Sequence, residues 1–191
     1  GALIGNAEPP VDETSLPRPI SPYGSSKLCG EAYCSSFAAA YGMSITALRF
    51  ANVIGPWSWH KKGAVTAFFK AVMSDAPIVI YGDGQATRDF LYVDDLCGGI
   101  LAGLKRQAPG FGAYHLASGR EVSVAQLADL TRRTANKPSH PIEYRDKRAG
   151  EVERNFANFA LASAELGFAP KHSLAQGLGL TWQWFQRQSR L

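Results

Sequence analysis

Two side chains in the run Ser21-Pro22-Tyr23-Gly24-Ser25-Ser26-Lys27 carry reactive groups at a useful spacing. Tyr23 and Lys27 stand four residues apart, so on a helix they share a face, with Cβ atoms roughly 6 Å apart. Serine is a favoured N-cap and proline suits the first helical position, which puts the pair in an N-terminal turn. A phenol titrates near about 10 and is a poor base at neutral pH unless a cation stabilises its phenolate. Bringing a phenol to about 7 takes roughly 4 kcal/mol, more than one exposed ion pair provides. Acid–base work by this pair therefore calls for partial burial and a second positive charge.

Three further blocks follow in order. They are Arg49-Phe50-Ala51-Asn52-Val53-Ile54-Gly55-Pro56, then Gly82-Asp83-Gly84 with Arg88-Asp89-Phe90-Leu91-Tyr92-Val93-Asp94-Asp95, then Arg148-Ala149-Gly150-Glu151. With Pro19 to Lys27, the set resembles the extended short-chain dehydrogenase/reductases, in particular their NAD-dependent nucleotide-sugar epimerase/dehydratase group. The blocks correspond to the family's active-site helix, its R-x-x-N-x-x-G-P segment, its G-D-G…R-D-F-x-x-V-x-D segment and its R-x-G-[DE] element.

The resemblance implies a cofactor, NAD with NADP as the alternative, that oxidises a sugar carbinol while Tyr23 removes the proton. It makes Lys27 both the cation beside the phenol and a hydrogen-bond donor to the nicotinamide ribose, with the oxidised nicotinamide as the second positive charge. It brings the backbone at Ala51 to the nicotinamide. Arg88 and Arg148 fall at positions that hold a diphosphate, a task suited to planar guanidinium groups making charge-assisted hydrogen bonds. Asn52 is expected to donate an amide hydrogen bond there. Glu151 would accept ribose hydroxyls or orient Arg148, and Val79 and Tyr81 would read the nucleobase through backbone groups. The competing reading pairs Arg88 with Asp89 at the surface and leaves Arg148 as a solvated loop cation. Asp95 is read as a helix N-cap. Trp57-Ser58-Trp59-His60-Lys61-Lys62 has two readings. Its rings stack on a ligand while Lys62 meets a phosphate, or the loop packs on the domain surface.

Several reactions share this scaffold. By resemblance, dehydratases carry Asp-Glu after a catalytic Thr, and decarboxylases carry a Glu at the second of those positions; here Gly1 and Ala2 stand there. Small residues suit a pocket in which a 4-keto sugar turns about its diphosphate anchor, as a 4-epimerase requires. The favoured activity is C4 epimerisation of a nucleotide sugar, with a UDP-hexose as substrate. The alternatives are a 4-keto-sugar reductase and a non-catalytic module that binds nucleotide sugars or dimerises. Ile4 replaces the tyrosine of most relatives, and Asn155 lies near the family position that limits the C2 substituent.

The opening Gly1-Ala2-Leu3-Ile4-Gly5 resembles the end of the family's S-[ST]-x-x-V-Y-G element. A dinucleotide-binding fold needs a glycine-rich turn between its first strand and helix. Gly82-x-Gly84 leads instead into a strand, and Gly177-x-Gly179 sits within a helical stretch. The expectation is therefore a C-terminal portion of the family's sequence, inactive alone.

Composition narrows the remaining classes. With 46% hydrophobic and 19% charged residues over 191 positions, the chain has globular composition and can bury a core. A net charge of +4 suits an anionic substrate, but the short clusters Lys61-Lys62 and Arg145 to Arg148 form no basic stripe for nucleic acid. No apolar run approaches a membrane span. Cys29, Cys34 and Cys97 lack metal-ligand spacing and read as buried thiols of a cytoplasmic protein. The four histidines are scattered, so no metal is expected.

The elements that must position these groups alternate as in an α/β chain. A strand end and a proline-rich loop occupy residues 1–20. A helix follows from Pro22 to Tyr41, stopped by Gly42, then a buried strand from Ser44 to Val53. Helices are expected over Ala64–Ser74, Asp94–Lys105 (capped by its aspartate), Ser123–Ala135, Leu161–Leu166 and Leu174–Gln188. Short strands are expected over Ile78–Tyr81, Phe90–Val93, Tyr114–Ala117 and Ile142–Tyr144. The expected fold is the C-terminal part of a Rossmann-type doubly wound parallel sheet plus a smaller α/β substrate-binding domain. Residues 1–62 form the partial Rossmann unit with the Tyr/Lys helix. Residues 63–191 form mainly the nucleotide-sugar domain, with about 90–120 returning in part to the first. By resemblance the Pro22–Tyr41 helix joins a homodimer interface.

Overall fold

A computed structural model describes residues 1–106, 108–148, 150 and 152–188. The first helix, α1 (Pro22–Tyr41), begins where the Ser21 Oγ accepts the Gly24 N–H at 3.1 Å and ends at Gly42, whose φ of 65° reverses the chain. Glycine meets that left-handed geometry without a Cβ penalty.

The expected strand from Ser44 to Val53 divides at Ala51. Strand β1 (Ile45–Phe50) runs parallel to β6 (Phe111–Leu116), while β2 (Asn52–Ile54) runs parallel to β5 (Phe90–Tyr92). The hand-over is visible in the backbone: Ala51 N–H donates to Leu116 O at 3.0 Å and Asn52 N–H to Asp89 O at 2.9 Å. Neighbouring residues of β1 point to opposite faces. Thus Leu48 packs against Gly103 of α3 (Val93–Leu104), while Arg49 reaches Glu31 of α1. A helix thus covers each face, the layering of a doubly wound α/β fold.

The main core joins α2 (Ala64–Met73), β3 (Ile78–Tyr81), α4 (Val124–Thr134) and α6 (Leu174–Gln188). Val65, Phe68, Phe69 and Val72 give α2 a buried stripe at i, i+3, i+4 and i+7. It meets Ile78, Ile80, Leu127, Leu178 and Phe185. Ser123 and Gln126 start α4 with a capping box. Strand β3 pairs in parallel with β8 (Ile142–Arg145). Two strands of two residues each, β4 (Thr87–Arg88) and β7 (Val122–Ser123), pair antiparallel. The short helix α5 (Ala160–Leu166) packs on β6. Residues 1–20 are loop throughout, and the expected opening strand end is a turn closed by Gly5 N–H to Gly1 O at 2.8 Å. Ile4 is buried there beside Val11 and Ala157.

Three local expectations need correction. Helix α3 starts at Val93 after Tyr92, with no side-chain cap. Asp95 is buried and accepts the Lys171 and His172 N–H groups, both at 3.0 Å, together with His172 Nδ1. It pins the approach to α6 and caps nothing in its own helix. The thiols of Cys29 and Cys97 are exposed and that of Cys34 partly so: α1, which carries Cys29 and Cys34, buries only Gly24 and Ala38, and Cys97 lies off the buried face of α3. Among the described residues, no helix is long and apolar enough to cross a membrane, and no group of His, Cys, Asp and Glu could hold a metal.

Candidate active site

One cleft of about 660 Å³ collects most of the residues singled out from the sequence. Tyr23 reaches it from α1, Ala51 and Asn52 from the β1–β2 junction, and Lys62 from the loop before α2. Val79 and Tyr81 come from β3, Arg88 from β4, and Arg148 from the segment after β8. Lys27 reaches the cleft through its partner, with Nζ 5.0 Å from the centroid of the Tyr23 ring. Glu151 lies outside the described residues. Tyr23 is 64% exposed, so the partial burial expected for it is not met within this chain.

Arg88 and Asp89 do not pair at the surface. The Arg88 Nη1 donates to the Thr87 carbonyl at 2.7 Å, and the guanidinium lines the cleft. Asp89 is only 3% exposed and accepts Ser118 N–H at 2.9 Å, the Ser118 hydroxyl at 2.7 Å and Gly119 N–H at 3.0 Å. Burial raises its carboxyl above the usual range, against the pull of those hydrogen bonds. Its backbone carbonyl also receives the Asn52 amide at 3.0 Å. One hydrogen of that amide is therefore committed to the fold, and the second remains for a ligand.

Of the tryptophans in the Trp57–Lys62 loop, Trp59 packs on α6 while Trp57 is 81% exposed beside it, and neither lines the cleft. Trp57 lies 5.4 Å from the Trp184 ring and Trp59 5.1 Å from Phe185, while Lys61 and Lys62 line the cleft. Gly1, Ala2 and Asn155 also line it. A Cβ on Gly1 would lie 1.5 Å from the Asn155 Nδ2, so that approach admits no larger residue without movement.

A partly buried network within this wall, with Arg49 and His115 among its lining residues, was not legible in the sequence. Arg49 makes a two-point pair with Glu31, Nε to Oε1 at 2.9 Å and Nη2 to Oε2 at 2.8 Å. Its Nη1 lies 3.2 Å from His115 Nε2. Glu31 stands one further turn along the face of Tyr23 and Lys27, so the pair ties that face to β1. Burial, then the Arg49 charge, push the His115 imidazole down from 6.5 to about 4, against Asp12.

The unfolded chain protonates His115 near 6.5 and the folded chain only near 4, so between those values the unfolded state binds more protons. Stability is therefore lost as pH falls through that window, by an order-of-magnitude 3 kcal/mol from this residue. Urea midpoints at pH 7.5 and 4.5 should separate less in His115→Gln than in the unsubstituted protein; equal separation would refute this assignment.

With this geometry in view, the relatives of the chain become informative. The model of the NAD dependent epimerase/dehydratase family matches residues 1–117. The chain belongs to this family. It is 29% identical to the UDP-glucose 4-epimerase of Mycolicibacterium smegmatis, with all of the chain matching 61% of that protein. Among solved structures it is similar to the UDP-glucose 4-epimerase of Thermotoga maritima with UDP-glucose. That match has a TM-score of 0.93 and 34% identity, covering 99% of this chain and 62% of the other. It is also similar to the UDP-glucuronic acid 4-epimerase of Bacillus cereus in complex with UDP-glucuronic acid and NAD. There the TM-score is 0.92 and the identity 29%, over 98% and 59% of the two chains. The chain thus spans about three fifths of the length of these relatives, and its fold is the Rossmann-type α/β fold expected from its sequence.

Proposed function

We propose that the protein to which this chain belongs inverts C4 of a nucleotide sugar, a UDP-hexose, through a transient 4-ketone. The observation that carries the reading is the single cleft shared by the Tyr23 phenol and the Arg88 and Arg148 guanidinium groups. A reactive oxygen at one end and two permanent cations elsewhere on the wall suit a substrate with a sugar linked to a diphosphate. Relatives crystallised with UDP-glucose and UDP-glucuronic acid support the same substrate class.

The donor set near α1 fits one end of NAD. Tyr23 and Lys27 stand together, and Tyr23 shares the cleft with Phe50, which is 46% exposed. Ala51 N–H is committed to Leu116, so its contribution there falls to its carbonyl. When bound, NAD would supply the acceptor for the hydride of sugar C4 and the donor for its return. Tyr23 takes the proton of the 4-hydroxyl as the carbinol becomes a ketone, and gives it back when the alcohol reforms. Lys27 stabilises the Tyr23 phenolate that takes this proton, and while the sugar is a ketone Tyr23 is the neutral phenol. Arg88, Arg148, Asn52 and Lys62 hold the diphosphate throughout, and Glu151 is assigned to the ribose or to Arg148. The small side chain of Ala2 suits a ketone that must turn to present each face to the same hydride donor, while Asn155 fills the space beside Gly1. Val79 and Tyr81 lie on β3, which pairs only with β8 among the described residues and offers its other edge to the nucleobase.

Residues 1–62 are assigned to the cofactor-binding unit and 63–191 mainly to the substrate unit, with about 90–120 shared. Tyr33, Phe37 and Tyr41 recur every four residues on α1, and each is at least 48% exposed. That aromatic stripe supports homodimerisation through this helix, in a cytoplasmic enzyme.

The test is NMR of UDP-hexoses incubated in D₂O with the whole protein and NAD. Inversion at C4 with the original hydrogen retained is expected, because the hydride never exchanges with solvent. Deuterium at C4, or turnover only of a 4-keto sugar with consumption of reduced cofactor, would overturn the reading.

A further inference from the structure

Arg148 sits on an exposed segment between β8 and Gly150, where φ is 76°. Two other cations of this region have carboxylate partners: Arg145 bridges Glu143 at 2.7 Å and Lys147 bridges Glu153 at 2.5 Å. Among the described residues no carboxylate bridges Arg148. Its guanidinium carbon lies instead 3.6 Å from the centroid of the Tyr81 ring, and both residues line the cleft. A guanidinium over an aromatic face is held by its plane while its N–H groups point outward from the edge. One donor meets the Tyr81 hydroxyl, and that geometry leaves the others for an anion.

We propose that the Tyr81 ring is a positioning residue, a platform that holds the Arg148 guanidinium over the cleft in readiness for the substrate's diphosphate. The proposal rests on the reading of Arg148 as a diphosphate ligand and adds a role for the Tyr81 side chain, beyond its backbone. A hydrogen bond from Arg148, then its charge, with Arg145 adding to both, draws the Tyr81 phenol below its usual range. Without the ring, Arg148 must be ordered when the anion arrives, and the cost of fixing a long side chain is charged against binding.

The experiment is a double-mutant cycle read by calorimetry with UDP, using Tyr81→Leu, Arg148→Gln and the pair together. Loss of an exposed cation–π contact corresponds to about two- to fivefold weaker binding for Tyr81→Leu. If Tyr81 acts through Arg148, adding Tyr81→Leu to Arg148→Gln weakens binding no further. Tyr81→Phe, which keeps the ring, recovers most of the loss, and its circular dichroism guards against misfolding as the cause. Additive effects, an unaltered affinity in Tyr81→Leu, or equal losses in the Leu and Phe variants would overturn the proposal alone. No UDP binding by the unsubstituted protein would overturn the diphosphate reading as well.

Discussion

Replacing Tyr23 by Phe is expected to lower kcat for C4 inversion by about 10²- to 10⁴-fold, the range for losing a positioned acid–base group. The change deletes one oxygen at a residue that is 64% exposed, and among the described residues its hydroxyl makes no hydrogen bond. Stability should therefore move by no more than about 0.5 kcal/mol. Because the diphosphate anchors lie elsewhere on the cleft wall, KM should change little. A kcat loss with unchanged KM is the signature of an interaction used only in the transition state. Steady-state kinetics with a UDP-hexose, beside a urea melt, separates this from a folding defect. Activity within a few-fold of the unsubstituted enzyme would remove Tyr23 from the chemistry.

The second large effect is steric. Gly24 occupies the turn of α1 between Tyr23 and Lys27, and a Cβ added there would stand 2.1 Å from the Ala2 carbonyl oxygen. Helix propensity alone favours Gly24→Ala by about 1 kcal/mol. The clash is with backbone on one side and with Pro19 on the other, so the start of α1 must move by about 1 Å to reach ordinary van der Waals separation. Displacement of a catalytic group by about 1 Å costs on the order of 100-fold in rate. Net destabilisation of roughly 1–3 kcal/mol is expected from overpacking. Kinetics and thermal melts of Gly24→Ala decide between the two effects. A more stable, fully active variant would show that α1 tolerates the shift and that the register of Tyr23 is not tightly set.

What the sequence made legible was local. The Ser21-Pro22 start and Gly42 stop of α1 rest on capping and backbone geometry within a few residues, and both match the structure. The stripe of Val65, Phe68, Phe69 and Val72 is likewise a short-range pattern. The break at Ala51 was hidden, because it arises from two different partners, β6 and β5, that lie far along the chain. The two-residue strands β4 and β7 are too short to carry a period-two pattern. Asp95 looked like a cap because it opens a helical stretch, yet its partners are Lys171 and His172.

At the site, motif residues were found because their types and spacing are unusual. The Glu31–Arg49–His115 network was missed although Arg49 stood inside a quoted block, since no sequence signal links residues 18 and 66 positions apart. Asp89 was considered only as a surface partner for Arg88. Its burial beneath Ser118 and Gly119 depends on where the end of β6 arrives. The Trp57–Lys62 loop allowed two readings until α6 supplied the aromatic surface against which Trp59 packs.

The most direct test of the cleft is a calorimetric comparison of UDP and uridine. Two guanidinium groups making charge-assisted hydrogen bonds at roughly 1.5–3 kcal/mol each predict UDP binding at least about 100-fold tighter than uridine. Equal affinities for the two, or binding of neither, would mean that Arg88 and Arg148 do not meet a diphosphate.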